Sequence, residues 1–113
     1  MNGIKTIVYP VKDAAKAREV FTALLGVPPH TDAPYYVGFS AGDQEIGLDP
    51  NGHAQGMTGP VAYTQVADIN QALAALQAAG AQPQRPVTDV GGGRLIATVT
   101  DPDGNPIGLL QDP

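Results

Sequence analysis

Cysteine is absent from the chain. Disulfides, thiolate nucleophiles and zinc–thiolate sites are excluded with it, and the composition suits a reducing compartment. Long apolar runs are also missing, and no basic stretch followed by an apolar one stands at the start. A signal peptide or a membrane span needs such a run, so the expectation is a cytoplasmic protein with no membrane partner. Basic residues are few, six against eleven acidic, for a formal charge of −5 over 113 residues. That balance repels phosphate backbones, excludes nucleic acid as a natural partner and favours small cations at long range. Histidine occurs only twice. No Ser-His-Asp order, nucleophile elbow or dinucleotide fingerprint is present, and the triplet Gly91-Gly92-Gly93 precedes a strand pattern and not a helix, which rules out a phosphate loop.

Glycine and proline, by contrast, are frequent at 14 and 11, and they punctuate periodic segments. Residues 1–11 alternate, with Ile7, Tyr9 and Val11 on one face and Thr6, Val8 and Pro10 on the other, as in a strand. Asp13 supplies a helix N-cap, Ala17, Val20, Phe21, Leu24 and Leu25 follow at helical spacing, and Gly26 with Pro28-Pro29 ends the helix. Residues 35–40 and 44–49 read as a hairpin across Ala41-Gly42-Asp43. Residues 50–60 have no periodicity and read as a linker. The pattern then restarts. Val61, Tyr63 and Gln65 share one strand face, Asp68 caps a second helix with Ile69, Ala72, Leu73 and Leu76 as its stripe, and Gly80 closes it. Residues 82–90 form a Pro-interrupted edge strand, 94–100 a stronger strand and 106–110 the last one. The turn before that last strand, Asp101-Pro102-Asp103-Gly104-Asn105, combines every residue type that favours a tight reversal.

Asp13 and Asp68, and Gly26 and Gly80, recur at nearly one interval; Gly47 and Gly108 are spaced more widely, the extra residues fitting in the loop at Gly91-Gly92-Gly93, and Ile46-Gly47-Leu48 is echoed by Ile107-Gly108-Leu109. The chain is a duplicated strand–helix–strand–strand(–strand) unit of α+β class. Module 1 is expected over about residues 1–52, a linker over 53–59 and module 2 over about 60–113 of one domain.

Val11-Lys12-Asp13 before a helix ending in Leu24-Leu25-Gly26, Val66-Ala67-Asp68 with Gly80, and Asp101-Pro102-Asp103-Gly104-Asn105 before the final strand resemble the vicinal oxygen chelate superfamily. That group contains glyoxalase I, extradiol dioxygenases, fosfomycin-resistance enzymes and bleomycin-resistance proteins. The resemblance spans essentially the whole chain. It implies two tandem βαβββ modules curling a mixed sheet into cups, with helices on the outer face and a second copy of the chain as partner in a homodimer. Enzymes of the group place a divalent-metal ligand in the first and last strand of each module. By alignment on the capping aspartates and the Ile-x-Leu runs, those four slots fall on Thr6, Gly47, Val61 and Gly108. None is a usual ligand, and shifting the count by one residue restores no histidine.

The expectation is therefore a metal-free, cofactor-free small-molecule binder, with no catalytic residue assigned and an aromatic or cationic ligand. Thr6, Val8, Glu45, Gly47, Val61, Tyr63, Gln65, Gly108 and Leu110 are the candidate ligand-binding residues, the paired glycines enlarging the cavity. Glu45 shares a face with Gly47 and offers a carboxylate to a cationic or hydroxylated ligand; Asp49 lies on the same face. His30 and His53 fall in loops and read as surface residues, as does Arg94. Tyr35, Tyr36 and Phe39 put aromatic area on both sides of one strand. Two alternatives stand beside this reading: a metal-dependent lyase or dioxygenase with ligands not visible in the sequence, and a degenerate dimerising scaffold.

Overall fold

The computed structural model describes residues 3–113. These residues form eight strands and two α-helices in a mixed α+β fold, and the chain falls into two compact units. One unit is Thr6–Val61; the other is Ala62–Pro113 with the residues of the first strand up to Lys5.

The first module runs β1 (Ile4–Pro10), α1 (Ala14–Leu25), β2 (Thr31–Ala33), β3 (Tyr36–Ala41) and β4 (Gln44–Asp49). β1 pairs parallel with β4, β4 antiparallel with β3, and β3 antiparallel with β2. The first two residues of the expected opening strand lie outside the described residues. α1 begins where expected: the Asp13 carboxylate accepts from the Lys16 N–H at 3.1 Å, and Gly26 closes the helix at φ 73° with its N–H on the Thr22 carbonyl. A left-handed residue without a Cβ is the natural stop there. The buried cluster Val37, Phe39, Ile46 and Leu48 packs with Ile7, Tyr9 and Val11 and with Ala17, Phe21 and Leu25 of the helix. The rings of Tyr9 and Phe21 stand 4.9 Å apart. The expected helix stripe was too wide, since Val20 and Leu24 are 63% and 71% exposed and only the i, i+4, i+8 row of Ala17, Phe21 and Leu25 meets the sheet.

β2 is the element that the sequence pattern did not disclose. Three residues just before Pro34 carry no alternation, and they become a strand only because Thr31, Asp32 and Ala33 pair with Gly38, Val37 and Tyr36. The stretch expected as linker holds a single 3₁₀ turn, His53–Gln55, and Gly52 before it is buried against Pro10, where a Cβ would come within 2.7 Å of the Pro10 Cβ.

The second module repeats the plan with β5 (Val61–Gln65), α2 (Ile69–Ala78), β6 (Gln82–Asp89), β7 (Leu95–Thr100) and β8 (Pro106–Gln111). Again the first strand pairs parallel with the last, β5 with β8, and the remaining pairs are antiparallel. Asp68 caps α2 by accepting from Gln71 N–H at 3.1 Å, while the Gln111 side-chain oxygen accepts from Ile69 N–H at 2.8 Å. Ile69, Ala97 and Leu109 form the buried center, joined by Val66, Ala72, Leu73, Leu76, Val87 and Leu95. Among the described residues β6 pairs only with β7, and its register slips at Pro83/Arg85 and Arg85/Thr88, as a proline-bearing edge strand should. The Gln65 N–H donates to the Gly3 carbonyl, tying the start of the chain beside β5.

Candidate functional site

In each module one sheet face is taken by the helix, so the chemistry has to be sought on the opposite face. In the first module that face carries Thr6 and Val8 of β1, Glu45 and Gly47 of β4, and Tyr36 and Gly38 of β3, because the register sets Thr6 against Glu45, Val8 against Gly47 and Gly38 against Gly47. The two paired glycines leave a smooth strip of backbone. The Tyr36 ring lies across it: a Cβ at Gly47 would stand 2.5 Å from the Tyr36 hydroxyl, and one at Gly38 would stand 2.8 Å from Tyr36 Cε2. The expected widening of the site at Gly47 is thus taken up by an aromatic ring.

That ring aims its hydroxyl at Glu45. Tyr36 O–H donates to Glu45 Oε2 at 2.6 Å, and His30 Nε2 lies 2.6 Å from Glu45 Oε1. His30 Nδ1 in turn lies 2.8 Å from the Thr31 hydroxyl. A chain of four side chains, Tyr36–Glu45–His30–Thr31, runs from the sheet face through the loop before β2 to the first residue of that strand. The carboxylate and the imidazole are 24% and 41% exposed, so the group is open to a solute. Sequence reasoning placed Glu45 on this face but took His30 as a loop surface residue. The only sequence signal for the pairing is that His30 immediately precedes β2, whose pairing with β3 brings it beside β4, and β2 itself was not legible. Asp49, by contrast, is spent on the turn that follows it, accepting from Asn51 N–H at 2.8 Å.

The second module has the same arrangement without the acid. Tyr63 and Thr98 flank Gly108 in register, and a Cβ at Gly108 would stand 2.6 Å from Tyr63 Cδ1 and 2.9 Å from the Ala62 carbonyl oxygen. Tyr63 and Leu110 are buried, as is Val61 at the start of β5. The Gln65 amide donates to Asp112 Oδ2, and Asp112 is also held by Arg94 Nε at 2.9 Å. Gln65 and Arg94 therefore serve to pin the C-terminal residues. His53 lies exposed in the 3₁₀ turn.

The four positions that align with metal-ligand slots do not fit a divalent cation. Val61 has no donor atom, both glycines are covered by tyrosine rings, and Thr6 offers one hydroxyl. Among the described residues no group of three or more His, Asp or Glu side chains converges as ligands. A separate groove of about 480 Å³ runs between α1 and β2, lined by Arg18, Glu19, Thr22, Ala23, Pro29 and Asp32. The Arg18–Asp32 ion pair at 3.0 Å spans it, and it lies on the helix side, away from Glu45.

A sequence model described as the Glyoxalase/Bleomycin resistance protein/Dioxygenase superfamily matches residues 3–109. No curated protein matches the sequence. Solved structures with the same fold include an NAD-dependent benzaldehyde dehydrogenase from Legionella pneumophila, at 18% identity and TM-score 0.76, covering 94% of this chain and 96% of that one. Methylmalonyl-CoA epimerase from Mycobacterium tuberculosis aligns at 16% identity and TM-score 0.70, over 98% of this chain and 88% of that one. The Mn(II)-bound glyoxalase from Novosphingobium aromaticivorans aligns at 18% and 0.71, over 98% of this chain but 39% of that one. At these identities the likeness is one of fold.

Proposed function

The chain belongs to the Glyoxalase/Bleomycin resistance protein/Dioxygenase superfamily, and from that premise we propose that it binds a small aromatic or cationic molecule without a resident divalent metal. One observation carries this reading. Where the superfamily resemblance implies metal ligands, the sequence has glycine in both last strands, and in each module a tyrosine ring covers that glycine. What remains on the strand face of the first module opposite its helix is a carboxylate held by two partners beside an aromatic ring, a set of groups suited to gripping an organic solute by charge and contact.

In this reading Glu45 is the polar anchor, Thr6, Val8 and Gly47 are the surrounding surface, and Tyr63, Gly108 and Leu110 supply the equivalent strand face of the second module. A homodimer in the cytoplasm is the assembly that goes with it. The −5 charge raises the local concentration of cationic ligands.

Thermal unfolding of the purified chain against planar aromatics, planar organic cations, cationic glycopeptides and divalent metals tests the proposal, because a binder of the native state raises the midpoint by mass action. An organic compound is expected to raise it equally with and without a chelator. One stoichiometric divalent ion that survives dialysis, with organic binding lost on its removal, would overturn it.

A further inference from the structure

Glu45 is held from two sides of different character. The Tyr36 hydroxyl is delivered by the sheet itself, with its ring seated on Gly38 and Gly47. The His30 imidazole comes from the loop between α1 and β2; its backbone N–H is anchored on the Gly38 carbonyl at 2.9 Å, but its side chain is 41% exposed and only a rotamer change away from solvent. The imidazole is thus the replaceable partner of the carboxylate. An ionised carboxylate accepts up to about four hydrogen bonds, and a planar cation is the donor that fits two oxygens beside an aromatic face.

We infer that Glu45 is a docking point for planar organic cations of the amidinium or guanidinium type, that His30 is its built-in occupant, and that a ligand takes the carboxylate by displacing the imidazole. This rests on the small-molecule reading above and adds what a ligand displaces there. The Thr31 hydroxyl at Nδ1 is the imidazole's other partner, and the charges Arg18 of α1 and Asp32 of β2 are paired with each other.

The expected effect follows from what the ligand must break. An incoming cation has to displace the imidazole from the carboxylate, so removing the imidazole tightens binding, by roughly two- to fivefold for a contact this open to water. Benzamidine, a planar cation, is the probe. Calorimetric titration of the full chain near neutral pH is expected to show binding to the wild type and tighter binding, by that factor, to His30→Ala, and in Glu45→Gln binding should be lost while the thermal midpoint shows the protein folded. The ring signals of His30 in NMR, identified by their disappearance in His30→Ala and referenced to His53, should shift on saturation. Binding to His30→Ala no tighter than to the wild type, or His30 signals that ignore bound benzamidine, would overturn the inference. If some other organic compound binds but benzamidine does not, this inference falls alone; if no organic compound binds, the function proposed above falls with it.

Discussion

An added Cβ at Gly108 would meet Tyr63 near the root of its ring and, at 2.9 Å, the backbone oxygen of Ala62. Neither can move without disturbing β5, so Gly108→Ala is expected to destabilise by about 1–3 kcal/mol in urea unfolding. At Gly47 the three nearest atoms all belong to the far end of the Tyr36 ring. That ring can swing aside at the expense of its bond to Glu45, so Gly47→Ala should cost less, and a Tyr36→Ala background should remove most of the cost. Asp101 presents another case where one side chain organises a turn. It accepts from the Asn105 side-chain amide at 2.9 Å and from the N–H groups of Asn105 and Asp103 at 2.8 and 2.9 Å. The Asn105 side chain first, and then the Asn105 backbone N–H, hold the Asp101 carboxyl below its ordinary value. A depressed carboxylate stabilises the fold above its unfolded-state value and loses that contribution as pH falls through the folded one. The stability difference between wild type and Asp101→Asn should accordingly be constant near neutrality and shrink below the usual carboxylate range, as acid titration of unfolding will show.

Among the elements, α1 separates what periodicity discloses from what packing selects. Its apolar residues outnumber those the sheet can cover, and Val20 and Leu24 are left facing outward. Replacing both by lysine is expected to change stability by less than about 0.5 kcal/mol, whereas Phe39→Ala, which empties a fully buried position on β3 facing α1, should cost about 3–5 kcal/mol in the same unfolding assay. The helix ends were legible because capping is local: Asp13 and Asp68 each reach an N–H three residues on. β2 was not, because three residues without alternation become a strand only when β3 offers its edge. That missed strand positions His30, and with it half of the candidate site.

For the whole molecule, sedimentation checks the proposed homodimer: a dimer is expected, and a strict monomer at high concentration would overturn it. The order of the elements other than β2, the duplication and the absence of donor side chains at Gly47, Val61 and Gly108 were determined by the sequence alone. Caps, turns and alternation act within a few residues, and a glycine has no donor wherever it lies. Tertiary structure decided what stands above those glycines and what touches Glu45. Tyr36 and His30 lie 9 and 15 residues before it, and they arrive through the antiparallel register of β3 with β4 and of β2 with β3. Alternation tells which face a side chain takes; only strand register and the path of a loop determine its neighbor there.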